Sequence, residues 1–142
     1  MEGIRGFRDL KVWQKAMDTA MLVFELSRHF PKYEVYSLTD QMRRSSRSVP
    51  SNIAEAWRKR RYPAAFVSKL NDAEGEAAET PTHIEMALRC GYLSGDQARS
   101  LDCAYEEVLA MLVAWPRAPS NGASVSPPLS PLLLKVRLPD GG

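Results

Sequence analysis

Four segments of the sequence carry apolar side chains at alternating steps of three and four residues. These segments cover residues 10–27, 38–56, 66–87 and 98–115. This spacing places the apolar side chains of each segment along one face of an α-helix. Amphipathic helices of about 20 residues joined by short links pack against one another as a bundle. We therefore predict an all-α fold, an antiparallel up-down four-helix bundle.

Prolines mark the expected ends of the first two helices. Helix 1 is predicted over residues 9–29, because a helix rarely continues through the residue before a proline, here Pro31. Helix 2 is predicted from Leu38, capped by Ser37, to about Arg61. Pro50 lies inside this helix, but the apolar spacing keeps its phase on both sides, so we expect one kinked, continuous helix.

The third and fourth helices have their own start and stop signals. Helix 3 is predicted from Pro63, a residue suited to the first turn, to Gly91, which is a typical C-terminal stop. Pro81 inside helix 3 predicts a bend or local looseness there. Helix 4 is predicted to start after Ser94, which forms a capping box with Gln97, and to end at Pro116.

Composition changes sharply after the fourth helix. We divide the chain into an N-terminal arm (residues 1–8), the bundle (9–115) and a tail (116–142). The tail holds six of the ten prolines together with several Ser and Gly residues, and such a composition predicts disorder. One piece of it, residues 132–136, is apolar enough to dock on the bundle or on a partner, and the alternative is that it has no role.

Charge, cysteine count and apolar runs restrict the class of protein. The net charge is only +2, and no apolar run approaches 18 residues, so a transmembrane span is not predicted. Two cysteines and an N-terminus without an apolar run predict a reduced, cytoplasmic protein with no membrane partner. Both thiols are expected to behave as buried or half-buried apolar groups.

Residues that suit catalysis or metal binding are few. The sequence has no Gly-rich phosphate loop, nucleophile elbow or cysteine pair at metal-ligand spacing. Glu79 and His83 stand four residues apart and can share a helix face, but a surface polar pair explains them better than a metal site. We therefore predict a protein that is not an enzyme, with no cofactor and no metal.

Basic side chains concentrate in and just after helix 2. The candidate residues for binding nucleic acid or a partner are Arg43, Arg44, Arg47, Arg58, Lys59, Arg60 and Arg61. Such clusters bind phosphate backbones, either RNA or DNA, without reading the base sequence. An acidic stripe on helix 3, formed by Asp72, Glu76 and Glu79, offers these cations a different role in pairing within or between subunits. A solvated face is the third reading.

Neighbouring residues of helix 2 have predicted structural roles. Trp57 stands next to the apolar face and beside Arg58, so it is our first candidate for an interface anchor. Ser51, Asn52 and Glu55 are expected to satisfy backbone and inter-helix hydrogen bonds around Pro50 rather than to touch a ligand.

Three strings of the sequence resemble a bacterial protein family. They are FRDLKVWQKAM (7–17), FPKYEVYSLTDQMRRSSRSVPSNIAEA (30–56) and ALRCGYLS (87–94). They are similar to the 23S ribosomal RNA intervening-sequence proteins, and the resemblance covers residues 7–115. Its most specific part is the motif Gln41, Arg43, Arg44, Ser48, Pro50, Ser51, Asn52, Ile53, Ala54 and Glu55.

The resemblance implies an up-down four-helix bundle that assembles as a ring-like homopentamer with no known catalytic activity. Related accessory variability determinant proteins of diversity-generating retroelements bind a reverse transcriptase and nucleic acid through a basic surface. The chain departs from the family pattern at Ala56, where the family usually has glycine, and at Pro81, where it tends to have a proline-free run.

The combined hypothesis is a non-enzymatic, oligomeric accessory protein that binds nucleic acid, a reverse transcriptase, or both. The alternative is a structural, homo-oligomeric interaction module with no role in nucleic-acid binding.

Overall fold

The computed structural model describes residues 3–117 and contains four α-helices. They are α1 (Lys11–Ser27), α2 (Leu38–Arg58), α3 (Pro63–Arg89) and α4 (Gly95–Ala114). Short 3₁₀ turns precede α1 and α2, at Phe7–Asp9 and Lys32–Glu34, and no strand occurs in the described part of the chain. The predicted all-α, four-helix fold is confirmed. The predicted disordered tail, from 118 onward, lies outside the described residues.

The contacts between α2 and α3 follow the order expected for two antiparallel helices. Near the α2–α3 link, Lys69 Nζ lies 3.1 Å from Glu55 Oε1. Farther from the link, Thr80 Oγ1 lies 2.8 Å from Ser45 Oγ. A later residue of α3 therefore contacts an earlier residue of α2. This order is compatible with the up-down arrangement expected from short links.

The core forms where the apolar faces of the four helices meet. All four predicted ladders contribute fully buried side chains, among them Leu10, Ile53, Phe66 and Leu101. Phe66 packs edge-on against Trp115, with ring centroids 5.5 Å apart, and this pair closes the end of the bundle where α3 begins and α4 ends. Edge-to-face geometry suits two aromatic quadrupoles better than direct stacking does.

Both internal prolines lie within unbroken helices. Pro50 is buried in the middle of α2, and the predicted continuity of this helix is confirmed. The hydroxyls of Ser45 and Ser46 donate to the carbonyls of Met42 and Arg43, at 3.3 and 3.0 Å. Serine hydroxyls in this stretch therefore bind backbone oxygens three residues back, as their small size and short reach allow.

The end of α3 and the start of α4 follow the sequence prediction closely. Gly91 has a φ of 83°, and its amide donates to the carbonyl of Leu88, while the amide of Tyr92 donates to Ala87 at 2.8 Å. This pair of bonds is a Schellman motif, which ends the helix. The capping box of Ser94 and Gln97 is confirmed, because each side chain binds the backbone of the other residue.

The prediction that the Ser37 side chain caps α2 is wrong. The side chain of Ser37 makes no capping bond to the backbone of α2; its hydroxyl donates to Glu34 Oε1 at 2.7 Å. Glu34 then accepts the amide of Leu38 at 3.2 Å and the hydroxyl of Tyr92 at 2.8 Å. A carboxylate accepts more hydrogen bonds than a hydroxyl, so Glu34 satisfies the helix start and ties it to the α3–α4 link.

Other predicted boundaries need small corrections. Helix 1 is two residues shorter at each end than predicted, and α2 ends at Arg58 rather than near Arg61. Residues 59–62 form a turn closed by the amide of Tyr62 on the carbonyl of Lys59, because the chain must reverse before Pro63. Residues 7 and 8 of the predicted arm are ordered, since Phe7 packs edge-on against Trp13 at 5.2 Å.

The two cysteines differ from their predicted environment. Cys90 and Cys103 are both free and exposed, so neither acts as a core residue. Cys90 caps the end of α3, and Cys103 lies between the buried positions Leu101 and Tyr105 of α4 but on the outer side of the helix.

Candidate functional site

The seven candidate basic residues do not form one surface. Arg43 and Arg47 lie beside Phe24 of α1, whereas Arg44 lies beside α3. The remaining four belong to the end of α2 and to the turn that follows it. Helix 2 rises about 1.5 Å per residue, so Arg58 is about 16 Å along the axis from Arg47.

Arg43 is held against its own bundle. Its Nε donates to Ser27 Oγ at 2.8 Å, and its guanidinium lies 4.9 Å from the centre of the Phe24 ring. The Ser27 hydroxyl in turn donates to the carbonyl of Phe24 at 3.0 Å. Arg43 is half-buried. These contacts give this arginine a structural role in joining α2 to the end of α1.

Arg44 is the one of the seven candidate residues that lies near the acidic stripe. It is exposed, and its Nη1 lies 3.7 Å from Asp40. Burial and then the neighbouring carboxylates of Glu79 and Asp72 raise the pKa of Glu76, and the positive charge of Arg44 acts in the opposite direction. The stripe therefore neighbours Arg44 in the middle of the bundle.

Three basic residues at the end of α2 remain free. We call Arg58, Lys59 and Arg61 the terminal basic cluster; all three are exposed, and none has an ion pair within 4 Å among residues 3–117. Cations are favourable at a helix C-terminus, where unpaired carbonyls carry partial negative charge. The C-terminus of α2 explains why these cations are tolerated here. Their exposed charged groups remain able to contact a partner.

Arg60 is used differently from its neighbours. Its guanidinium lies 3.9 Å from the centre of the Trp57 ring, and Nη1 donates to the Trp57 carbonyl at 2.7 Å. Trp57 itself is half-buried and packs on the core. The stacked pair fixes the turn that presents the terminal basic cluster, since a guanidinium over an indole is a favourable cation–π arrangement.

An apolar groove of about 550 Å³ runs between α1 and α2. Its exposed apolar side chains include Met17 and Met21, which are 38% and 48% exposed. Two arginines, Arg8 and Arg47, stand at this groove. The full lining is Phe7, Arg8, Trp13, Met17, Ala20, Met21, Phe24, Arg47, Pro50, Ser51 and Ala54.

Arg8 was missed by the sequence argument, which placed it in an arm. The 3₁₀ turn Phe7–Asp9 folds this residue back to the bundle, and its guanidinium lies 4.6 Å from the Phe7 ring centre. The signal that indicates an ordered segment is the apolar Phe7, one step of the helical pattern before Leu10.

A family model matches residues 8–114, which is more than half of the chain. Its description is 23S rRNA-intervening sequence protein. The chain belongs to this family. The match includes all seven candidate basic residues and both sides of the apolar groove.

A solved structure is similar to this chain in fold and sequence. It is described as a protein with unknown function from the S23 ribosomal protein family, from Bacteroides thetaiotaomicron VPI-5482. The identity is 28%, the TM-score is 0.65, and the alignment covers 72% of this chain and 91% of that one. No curated protein matches the sequence.

Motif residues of this intervening-sequence family member have mainly architectural contacts. The Asn52 amide donates to the carbonyl of Ser48 at 2.9 Å, and Glu55 pairs with Lys69 across the α2–α3 contact at 3.1 Å. These contacts agree with the structural roles expected for Asn52 and Glu55. Ser51 instead lies at the wall of the apolar groove.

Glu79 and His83 form the surface pair that their spacing indicates. His83 Nε2 lies 3.0 Å from Glu79 Oε2. Within residues 3–117, no three His, Cys, Asp or Glu side chains gather as a metal-binding group. Over the same residues, no helix has the length and apolar character needed to cross a membrane.

Proposed function

We propose that this protein is a non-enzymatic, homo-oligomeric accessory factor that binds nucleic acid through its terminal basic cluster. A reverse transcriptase is the protein partner that the family resemblance favours. The observation that carries the proposal is the free state of Arg58, Lys59 and Arg61, which are exposed and lack ion pairs in the described chain. Phosphate groups bind such side chains by charge and release counterions when they do so.

The neighbouring structure supports this role for the cluster. Arg60 is fixed on Trp57, so the turn has a defined shape although its other side chains are solvated. Arg43 is engaged with Ser27, and Arg44 faces acidic residues, so these two are weaker candidates for phosphate contacts. The proposal therefore concentrates affinity at one end of the bundle.

The experiment is a salt titration of affinity for RNA and DNA. The test variant carries Arg58→Gln, Lys59→Gln and Arg61→Gln. The control carries Arg28→Gln, Arg89→Gln and Arg99→Gln, which removes the same charge from exposed arginines that already have acidic neighbours. If all three cluster residues touch phosphates, the slope of log affinity against log salt falls by about 2 to 3 in the test variant, and the control keeps most of the wild-type slope.

Two results would refute nucleic-acid binding at this cluster. One is the absence of any binding at low salt. The other is an equal loss of affinity in both triple variants, which would mean that only net charge matters.

The apolar groove between α1 and α2 favours a second function, that of a homo-oligomeric interaction module. Exposed Met17 and Met21 beside Arg47 make a surface of the kind that protein interfaces use. A ring such as the homopentamer implied by the resemblance requires two different complementary patches on each subunit. The groove is our candidate for one of them.

Light scattering at micromolar concentration tests this module. We expect a mass of several subunits for the wild type, five according to the resemblance, and a smaller mass for Met21→Glu. Val35→Glu, at an exposed residue of the α1–α2 link, is the matched control and should keep the wild-type mass. A monomeric wild type would contradict the oligomeric part of both functions.

A further inference from the structure

A second groove, of about 670 Å³, lies between α3 and α4 on the surface of the bundle. Apolar side chains form part of it, namely Pro81, Met86 and Leu109. Met86 is 56% exposed, and Val113, one helical turn beyond Leu109 on α4, is 67% exposed. Apolar side chains exposed along a groove mark a surface where a partner or a segment of chain can bind.

The same groove carries unbalanced negative charge. Glu85, Asp102 and Glu106 belong to it together with one cation, Arg89, whose Nε binds Glu85 at 2.7 Å. Three carboxylates and one guanidinium leave a formal charge of −2.

Asp102 places an unsatisfied carboxylate oxygen at this groove. One of its carboxylate oxygens is buried without a hydrogen-bond partner among the described residues. Burial, followed by the charges of Glu85 and Glu106, raises the pKa of Asp102. A cationic donor entering the groove would satisfy this oxygen and offset the repulsion between the three carboxylates.

We propose that residues 132–138 of the same chain, LLLKVRL, dock in the α3–α4 groove. Five of these seven residues are apolar, and the other two are Lys135 and Arg137. Their formal charge of +2 complements the −2 of the groove, and their leucines match its apolar part. The occupant is thus a segment of this chain, defined by both its charge and its apolar character.

The length of the connection fits this placement. Leu109 and Asp102 stand 5 and 12 residues before the end of α4 at Ala114, so the groove lies about 8–18 Å from that end. Fourteen residues separate Arg117 from Leu132. A flexible chain of that length spans about 20 Å on average. A tether that matches the distance to its site gives the segment an effective concentration of about a millimolar, so even weak docking is populated.

The α1–α2 groove is a poorer site for the same segment. Its polar wall includes Arg8 and Arg47, which would face Lys135 and Arg137. Like charges brought together at a contact weaken it and select against it. The charges of the two grooves therefore direct the segment to α3 and α4.

Trypsin cleavage of the full chain tests the docking, because trypsin cuts after Lys135 and Arg137. A synthetic peptide of residues 126–142 gives the rate for the undocked segment. We expect both bonds to be cut about tenfold more slowly in the full chain at low salt than in the peptide, since cleavage follows the undocked population.

Two variants remove opposite halves of the contact. Glu106→Lys reverses an exposed charge of the groove, and its matched control is Glu25→Lys on α1, also exposed. Leu132→Ser with Leu134→Ser alters the segment and leaves the residues of the four helices unchanged. We expect peptide-like rates for Glu106→Lys and for the double serine variant, and the slow wild-type rate for Glu25→Lys.

Three outcomes would overturn the proposal. The first is a wild-type rate equal to that of the peptide. The second is slow cleavage that survives both groove and segment variants. The third is protection that disappears on dilution, because the occupant would then be a second copy rather than the same chain.

Discussion

Thr80 of α3 and Ser45 of α2 place their hydroxyl oxygens 2.8 Å apart inside the bundle. Both residues are buried, and Thr80 Oγ1 also lies 2.8 Å from the carbonyl of Glu76. Polar groups in a core are tolerated only when they find partners. This pair therefore fixes the register of α2 against α3 at a point where the surrounding faces are otherwise apolar and small.

The pair can be tested by a double-mutant cycle. Thr80→Val removes one hydroxyl with little change of shape, and we expect it to lower the free energy of unfolding by about 1–2 kcal/mol, because Ser45 loses a buried partner. Adding Ser45→Ala should recover part of that loss, since both polar groups are then absent. Urea unfolding measures the three variants, and strictly additive effects would show that the two hydroxyls are not coupled.

Alanine substitutions at two glycines should change the stability of the protein in opposite directions. Gly91 has a φ of 83°, so Gly91→Ala is expected to destabilise the protein by about 1–2 kcal/mol. Gly75 lies inside α3, and an added Cβ meets no atom within 4 Å. Gly75→Ala is therefore expected to stabilise the protein by about 0.5–1 kcal/mol. Thermal unfolding followed by circular dichroism compares them, and shifts of the same sign would refute this account.

Glu34 should make stability depend on acid pH. Hydrogen bonds from Ser37, Tyr92 and the Leu38 amide hold the pKa of Glu34 below its usual value. A carboxyl with a lowered pKa in the folded state stabilises the fold above its ordinary pKa. That contribution is lost as the pH falls through the lowered value.

The urea midpoint, measured from neutral to acid pH, tests this dependence. Glu34→Gln should show a smaller fall over that range than the wild type. Tyr92→Phe, which removes one of the donors, should lie between them. An unchanged fall in Glu34→Gln would assign the effect to another carboxyl.

Arg43 and Arg58 should separate structural from binding roles. Arg43→Ala removes the bond to Ser27 and the contact with Phe24, so we expect a loss of about 1–2 kcal/mol in stability. Arg58→Ala, at an exposed residue without an ion pair, should change stability by less than about 0.5 kcal/mol. Nucleic-acid affinity should fall more for Arg58→Ala, and the reverse order would place the binding surface near α1 instead.

Local patterns were sufficient for the helices and for several of their ends. The spacing of Phe66, Ile84 and similar residues identified the buried faces of α2, α3 and α4. In α1 the predicted face was displaced, because Met17 is 38% exposed and Trp13 and Phe24 are only half-buried. Ser94 with Gln97, and Gly91, were also identified correctly, because capping boxes and Schellman motifs involve residues within a few positions of one another. Each of these signals involves only residues that are close together in the sequence, so it can be recognised without the tertiary structure.

Contacts between distant residues account for the errors. The capping role of Glu34 involves Tyr92, 58 residues away, and Arg8 reaches the α1–α2 groove only because a turn folds back. The cysteines were expected to be buried or half-buried from their usual behaviour, whereas both are exposed. A helical period predicts a face only approximately for residues at its border.

The sequence by itself determined four helices, their apolar faces and the family, because helix periodicity and capping are set by neighbours in the chain. Tertiary structure alone decided which basic residues are free. Side chains that belong to one cluster in sequence were divided by packing: Arg43 turns to Ser27, Arg44 to the acids of α3, and Arg60 to Trp57. Among residues 3–117, Arg58, Lys59 and Arg61 remain exposed without an ion pair at the end of α2, and Arg47 is likewise exposed without an ion pair at the α1–α2 groove.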